Sequence, residues 1–545
     1  MKDIGLKAGE EQTDVFKEVV AGNRLLGWDE ATGEGVYPWA QCYGGWQFGS
    51  WAGQLGDGRA ISLFESTNPS TNTRYEIQLK GAGRTPYSRF ADGKAVLRSS
   101  IREFIVSEAL NALRIPTTRA LALTLLPRSR VQRERTEPGA IVARFAQSWV
   151  RVGTFDILRA RGDRDLIRRL ATYIATDVFE GWESLPTRIS ERTAEALTRD
   201  PPTGIASHVT EGTGIEEENR FTRLYRQIVR RNARTVAAWQ AYGFMNGVLN
   251  TDNTSVFGLS VDFGPFAFMD DFDPNYSPNH DDHALRYSYR NQPTMIYWNL
   301  VRLGESLGEL MGAGAKVDAD DFVQKGVAEE GEEADELVKR AEAIIGRTGA
   351  EYKAVFLGEY QRLMARRLGL LTQTEGDFEN LFSELLDTLE ALELDFNQFF
   401  RKLSAVRLAA VETEAGRREA AGIFFHHEGV TGIGNTEEQA RDRLAKWLDR
   451  WRLRIIDDWG AGEAKDAQRQ RDMKAMNPKF IPKSWILDEV IQRVERQGER
   501  EILSTVLNMA LHPFQDSWGG DAAEAERFCG DVPRVGRAMQ CSCSS

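Results

Sequence analysis

Three residues with oxygen donors in their side chains lie close together in the middle of the chain: Asp252, Asn253 and Asp262. Between them, residues 254–261 have short apolar stretches on both sides of Gly258, which predicts a tight β-hairpin with its turn at this glycine. A hairpin this short brings its two ends together, so we expect the oxygens of Asn253 and Asp262 to converge. Converging carboxylate and amide oxygens suit Mg²⁺, which completes its shell with water and phosphate oxygens. The segment therefore predicts a site for Mg²⁺ or a similar ion such as Mn²⁺.

A lysine and a glutamate upstream could complete a phosphate-binding site. Residues 75–80 alternate between apolar and polar side chains, which predicts a half-buried strand that ends at Lys80. Residues 94–113 have apolar positions at helical spacing, so Glu103 is predicted to lie on a helix. A strand lysine, a helix glutamate and a later Asp-Phe-Gly with an asparagine before it are the parts of a protein-kinase site, in the same order. If Lys80 does not contact Glu103, an ordinary exposed strand lysine is the better interpretation.

A glycine-rich segment and two arginines are further candidates for phosphate contacts. Residues 44–60 contain glycines that would let backbone amides approach a phosphate, although their spacing differs from the kinase glycine-rich loop. A β-hairpin with its turn at Asp57-Gly58 is the structural alternative. Arg144 and Arg151 follow the predicted sheet, and arginine is well suited to clamp phosphate oxygens. For either arginine alone, a surface ion pair is the default.

The elements around these residues predict an α+β chain. Strands dominate up to about residue 150, and helical patterns follow at 166–179, 188–197, 219–243, 295–312, 351–409, 436–460, 484–496 and 499–510. We therefore predict a bilobal protein-kinase-like fold with a mixed α/β N-lobe (1–150) and a large helical C-lobe core with the metal-binding hairpin (151–320). A helical C-terminal extension (321–545) ends in a Cys-x-Cys tail.

Composition excludes some classes of protein. The formal net charge of −12 argues against a nucleic-acid partner held by a general basic field. No stretch approaches the ~20 apolar residues that a membrane span needs. The start of the chain shows no targeting pattern, and a segment before it could be missing.

Four cysteines are too few for a disulfide scaffold, and their spacing does not fit a structural zinc site. Cys541 and Cys543 lie at the end of the chain, where we expect a disordered tail with accessible thiols. Such a tail could be redox-active, or its cysteines could be incidental.

Together these segments resemble the selenoprotein O family, whose bacterial members are also called YdiU. The resemblance runs from about residue 37 to the end and rests on long blocks: 78–89, 96–120, 247–268, 291–300 and 508–518. In many animal members a selenocysteine precedes the terminal Ser-Ser, and this chain has Cys543 there. The family has an atypical kinase fold, and the resemblance implies a protein adenylyltransferase that transfers AMP from ATP to Ser, Thr or Tyr hydroxyls.

The resemblance also implies a role for each candidate residue. Lys80 would bind phosphate and pair with Glu103, and Arg144 and Arg151 would grip the far phosphates. Asn253 and Asp262 would hold the metal, and Asp252 would accept the proton of the hydroxyl. The residues implied to hold the nucleotide are Gly56, Gly58, Arg59, Asp92 and Gly93. Many bacterial relatives have histidine in place of Asn246, which leaves the hydrogen bonding around Asp252 open.

Two other functions remain open at this stage, namely an ordinary protein kinase and a catalytically inactive nucleotide-binding or redox scaffold. The expected partners are protein substrates, and we expect a monomer. Family resemblance places eukaryotic members in mitochondria and bacterial members in the cytoplasm.

Overall fold

The computed structural model describes residues 1–186, 218–327, 330–430 and 434–541. Its strands are Trp28–Asp29, Glu34–Gly35, Cys42–Gln47, Ser50–Gly56, Ala60–Thr67, Arg74–Lys80, Ala95–Val96, Arg119–Gln132, Thr136–Ala146, Phe244–Met245 and Ala267–Phe268. Its α-helices are Asp14–Val20, Leu97–Ala112, Val152–Arg161, Arg164–Tyr173, Arg220–Tyr242, Gln292–Ser306, Gly308–Gly312, Asp320–Lys325, Glu332–Leu368, Glu384–Ala391, Phe396–Leu403, Glu414–Ala421, Glu437–Trp459, Glu463–Met476, Ser484–Gln492, Glu501–Leu511 and Ala522–Phe528. The strands are concentrated before residue 150 and the helices after it, so the predicted α+β class is confirmed. None of the helices in the described ranges is both long and apolar enough to cross a membrane.

A five-stranded antiparallel sheet organises the first part of the chain. The Arg74–Lys80 strand lies between Ala60–Thr67 and Thr136–Ala146, and the last of these also pairs with Ala95–Val96 and Arg119–Gln132. The register places Gln78 opposite Arg144. Since side chains alternate between the faces of a strand, Gln78, Lys80 and Arg144 share one face. The predicted strand is therefore confirmed, but its polar face is not open to solvent, because Gln78 is fully buried.

The opposite face of the sheet is apolar. Leu79 packs there with Val19, Val20, Leu63 and Ile141. The polar face carries the Leu97–Ala112 helix, which contains Glu103 and begins just after the short Ala95–Val96 strand. Burial of the apolar face fixes the register, because a slip by one residue would move the apolar side chains to the opposite face. Such a slip would also turn Lys80 away from this helix.

The helical part of the chain is built around the Arg220–Tyr242 helix. Asn219 caps its first turn through a side-chain bond to the Phe221 amide, and Gly243 ends it in the left-handed conformation. The helix is buried along most of its length and packs against Gln292–Ser306 and Glu332–Leu368. The predicted helix over 219–243 is thus confirmed to within one residue at each end, while the helix predicted at 188–197 lies outside the described residues.

The predicted β-hairpin between Asp252 and Asp262 is wrong. A turn at Gly258 does form, with a φ of 79° and a hydrogen bond from its amide to the Ser255 carbonyl. The two arms do not pair with each other, however. Ser255 bridges to Arg151, and Ser260 bridges to Thr117. Backbone groups of this segment are satisfied by more distant parts of the chain, which local patterning does not reveal.

Two other segments are held by contacts with distant parts of the chain, and the second is the tail for which the sequence predicts disorder. In the basic loop between the two long strands, Arg133 forms an ion pair with Asp92, and Arg135 forms one with Glu495. The backbone of Cys541 pairs with the 278–280 segment, so the described end of the tail is held in place. Cys543 lies outside the described residues.

Candidate active site

A buried network of charged side chains joins the sheet, the Leu97–Ala112 helix and the segment that contains Asp262. Lys80 Nζ lies 2.5 Å from Glu103 Oε2 and 3.7 Å from Asp262 Oδ1. Arg144 Nη1 donates to Glu103 Oε1 at 2.8 Å and to Asp262 Oδ1 at 2.9 Å. The structure therefore brings Lys80, Glu103, Arg144 and Asp262 together, although they are spread over more than 180 residues of sequence.

Arg151 connects this network to Asp252. Its guanidinium donates to Asp262 Oδ2 and, at 2.8 Å, to the backbone carbonyl of Asp252. It also lies over the ring of Tyr43 and 3.6 Å from Asp57 Oδ1. Only 2% of the Arg151 side chain is exposed, and groups of four residues hold its guanidinium in position.

Asp262 is held in its charged form by this arrangement. Burial raises the pKa of its carboxyl group, but Arg151, Lys80 and Arg144 outweigh burial and hold the pKa well below its usual range. The backbone of Asp262 adopts a φ of 54°, which is uncommon for a residue other than glycine. An anionic carboxylate fixed at the wall of a cavity is a suitable ligand for a cation.

Asp252 has the opposite electrostatic character. Burial raises the pKa of its carboxyl group to about 6, against the lowering effects of a hydrogen bond from Gln47 and the charge of Arg151. Gln47 Nε2 donates to Oδ2 at 3.2 Å. Oδ1 is buried and has no hydrogen-bond partner among the residues that the structure describes. A carboxylate with a pKa near the working pH and a free oxygen is suited to accept a proton.

One cavity of about 590 Å³ contains most of the predicted site. Its lining includes Lys80, Glu103, Arg144, Asp252 and Asp262, and also the remaining candidates Gly56, Gly58, Arg59, Asp92, Gly93 and Asn253. Arg151 is absent from the lining and acts on the cavity through its contacts to Asp252 and Asp262. A volume of this size is within the range of small-molecule sites.

The glycines of this region have specific steric roles. A Cβ at Gly45 would lie 2.4 Å from Asp252 Oδ1, and one at Gly56 would lie 2.4 Å from the ring of Tyr87. Gly93 has a φ of 72°, and a Cβ there would meet the Gly83 carbonyl. The hairpin of Cys42–Gln47 and Ser50–Gly56 turns at 48–49, whereas Asp57-Gly58 connects it to the next strand. The alternative interpretation of this segment, a hairpin with its turn at Asp57-Gly58, is therefore wrong about the position of the turn.

Three residues of the site were missed from the sequence. Tyr43 and Asp57 support Arg151, and the Tyr43 hydroxyl lies 3.3 Å from Asp57 Oδ1. Gln47 supports Asp252. All three lie in or beside the glycine-rich segment, which was the available signal. Asn246, in contrast, makes its side-chain contacts with the backbone of Val248 and Val261 rather than with Asp252.

The residues present fit a divalent cation. Asp262 is anionic, Asn253 lines the same cavity, and Asp252 Oδ1 has no partner within the described ranges. The lining carries as many carboxyl groups as cationic side chains: Asp57, Asp92, Glu103, Asp252 and Asp262 against Arg59, Lys80, Lys94, Arg133 and Arg144. These cations are already balanced, so a polyphosphate with several negative charges needs an additional positive charge, which a bound metal ion provides.

The fold and the site together define a class of protein. Buried lysine and arginine side chains, an anionic aspartate and an amide around a cavity beside a sheet are typical of enzymes that bind nucleoside polyphosphates with a metal ion.

Comparison with known proteins identifies the family. The sequence model of the family described as protein adenylyltransferase SelO matches residues 1–511, and the chain belongs to this family. The mitochondrial protein adenylyltransferase SelO of Schizosaccharomyces pombe is 42% identical, with 100% of this chain and 88% of the relative covered. Its counterpart in Saccharomyces cerevisiae is 36% identical, covering 98% and 87%. The protein nucleotidyltransferase YdiU of Aromatoleum aromaticum is 35% identical, covering 99% and 90%.

Proposed function

We propose that this chain is a metal-dependent protein adenylyltransferase that transfers AMP from ATP to a hydroxyl group of a protein and releases pyrophosphate. Family membership over nearly the whole chain supports the reaction class. The observation that carries the assignment of the site is the contact of Lys80, Arg144 and Arg151 with Asp262, which lines one cavity together with Asp252.

In the proposed reaction, the hydroxyl oxygen of a Ser, Thr or Tyr side chain forms a bond to the α-phosphorus of ATP. The bond between this phosphorus and the bridging oxygen of pyrophosphate breaks. The Asp252 carboxylate takes the hydroxyl proton, and general-base assistance of this kind contributes about 10²–10⁴-fold to the rate. Because Asp252 is already desolvated and held by Gln47, the base needs little reorganisation before it acts.

The cations of the site have a separate role. Pyrophosphate gains negative charge as it leaves, and fixed cations in a water-poor site stabilise such charge effectively. Lys80 and Arg144 line the cavity, where they bind the phosphate chain. Arg151 holds Asp252 and Asp262 in position relative to each other. Asn253 and Asp262 would hold Mg²⁺ or Mn²⁺, which would neutralise phosphate charge. The residues that position the nucleotide are Gly56, Gly58, Arg59, Asp92 and Gly93.

The wider architecture is part of the same proposal. Residues 1–150 form the N-lobe of a bilobal kinase-like fold, 151–320 form the core of the C-lobe, and 321–545 form a helical extension. The enzyme acts as a monomer on protein substrates. Two yeast relatives are named mitochondrial, which supports that compartment for this chain if its source is eukaryotic.

The experiment that tests the proposal compares ATP labelled at the α-phosphate with ATP labelled at the γ-phosphate, on a protein acceptor with Mg²⁺ or Mn²⁺. Label from the α-phosphate alone, with an AMP mass increment on the acceptor, is the expected result. Transfer of the γ label would indicate a kinase. Asp262→Ala should abolish labelling while thermal unfolding confirms a folded protein, and binding of ATP without any labelling by the wild type would indicate an inactive scaffold.

A further inference from the structure

A second cavity, of about 580 Å³, lies outside the active site and is strongly basic. It is bordered by the Arg220–Tyr242 helix, the Glu332–Leu368 helix and the residues that follow Leu97–Ala112. Its lining contains five arginines and a single carboxyl group: Arg114, Arg231, Arg234, Arg362, Arg366 and Glu359. This concentration of positive charge occurs in a chain whose formal net charge is −12.

The carboxyl group offsets only part of this positive charge, and it acts on Arg234 as well as on Arg362. Glu359 is engaged by Arg362, whose Nε and Nη2 donate to its two oxygens at 2.7 and 2.6 Å. Arg231 donates to the Phe257 carbonyl at 2.7 Å, and its guanidinium lies 3.8 Å from the centre of the Phe257 ring. Burial and the neighbouring Arg234 lower the pKa of Arg231 to about 9. A buried guanidinium beside a second one is stabilised by an anion.

We propose that this cavity binds a small, multiply charged phosphate anion, either inorganic pyrophosphate or the phosphate chain of a nucleotide. The paired N–H groups of an arginine guanidinium match the geometry of phosphate oxygens. Several guanidinium groups around one cavity favour a ligand with more than one phosphate group. The apolar part of the lining, which includes Phe257, Met476 and Phe514, shields the bound charge from water and strengthens each contact.

The position of the cavity connects it to the active site. Gly258 and Phe257 line it, and they belong to the turn between Asp252 and Asp262. The Arg220–Tyr242 helix holds this turn through Arg231 on the Phe257 carbonyl and Thr235 on the Gly258 carbonyl at 2.6 Å. An anion on Arg231 therefore contacts the same side chain that fixes the turn.

The test measures where inorganic pyrophosphate binds on the full chain. Titration calorimetry in EDTA gives the affinity, and amide hydrogen exchange gives the location. We expect pyrophosphate to slow exchange in peptides that cover 110–118 and 356–368, in addition to any effect at the active site. Arg114→Gln combined with Arg366→Gln should remove this protection and weaken binding at this site at least tenfold. Both side chains are exposed, so the core is unaffected. Arg407→Gln, at an exposed arginine that does not line this cavity, is the matched control and should behave as wild type.

Several results would overturn the proposal. The first is that pyrophosphate does not protect the two peptides in the wild type. The second is that protection in the double variant equals that in the wild type. If the double variant does not fold, the Arg114→Gln single variant replaces it and should weaken binding at this site. Stronger protection by pyrophosphate than by ATP identifies the inorganic anion as the ligand, and the reverse identifies the nucleotide. Protection by an oligoglutamate peptide with none from either phosphate compound would point to a protein partner and contradict the proposal.

Discussion

The substitution Asp252→Asn should separate catalysis from stability. In the folded protein, burial raises the pKa of this carboxyl group from 3.8 to about 6. A carboxyl group whose pKa is raised on folding destabilises the folded state at every pH where it is ionised. The pKa difference lowers the free energy of unfolding by about 3 kcal/mol at neutral pH. Asparagine has the same shape without the charge, so the variant should be more stable than the wild type at pH 7–8.

The destabilisation caused by the ionised Asp252 should depend on pH. The destabilisation is fully present above the folded pKa of about 6, and it disappears as the pH falls below the unfolded value of 3.8. The melting temperature of Asp252→Asn should therefore exceed that of the wild type at pH 7.5, and the difference should decrease towards pH 4. Differential scanning calorimetry across this range makes the measurement. Asp321→Asn, at a carboxylate that is 91% exposed, is the control and should show no such trend.

Activity should change in the opposite direction. Transfer of the α-phosphate label should fall by about 10²–10⁴-fold in Asp252→Asn, because asparagine cannot accept the proton. The wild-type rate should rise with pH through about 6 as Asp252 ionises, and the residual rate of the variant should lack this rise. A variant that is less stable than the wild type at pH 7.5, or that keeps activity within tenfold, would refute the assignment of Asp252 as a buried base.

Three further predictions follow from the contacts of the site. Gly45→Ala should lower α-phosphate transfer at least tenfold, because its Cβ would meet Asp252 Oδ1, whereas Gly462→Ala, with open space around its Cβ, should retain the wild-type rate. Asn253→Ala should raise the Mg²⁺ concentration needed for half-maximal transfer about tenfold; an unchanged metal dependence would exclude it as a ligand. Lys80→Ala should reduce transfer about 10²-fold while leaving the protein folded by circular dichroism, since Glu103 retains its bond to Arg144, and wild-type kinetics would contradict a phosphate-binding role.

The sequence determined the local elements that carry the site. Strict alternation over 75–80 predicted the strand of Lys80, and the 3.6-residue spacing of apolar positions predicted the helix of Glu103. Their direct contact follows from these two elements packing on one another. Such patterns are readable because each depends on burial of one face of a single element.

The tertiary structure alone decided how the segment around Asp262 is held. The apolar stretches on both sides of Gly258 favoured a hairpin, but Ser255 and Ser260 pair with Arg151 and Thr117, which lie more than 100 residues away. Contacts at this sequence separation depend on how whole elements pack, and a single segment carries no signal of them.

The electrostatics of the site also required the complete fold. Asp252 and Asp262 are both aspartates in one short segment, yet burial raises the pKa of one, and three cations hold that of the other well below its usual range. The sequence supplied two identical carboxyl groups. Only their burial and their neighbours from distant strands and helices made one of them suited to accept a proton and the other suited to bind a cation.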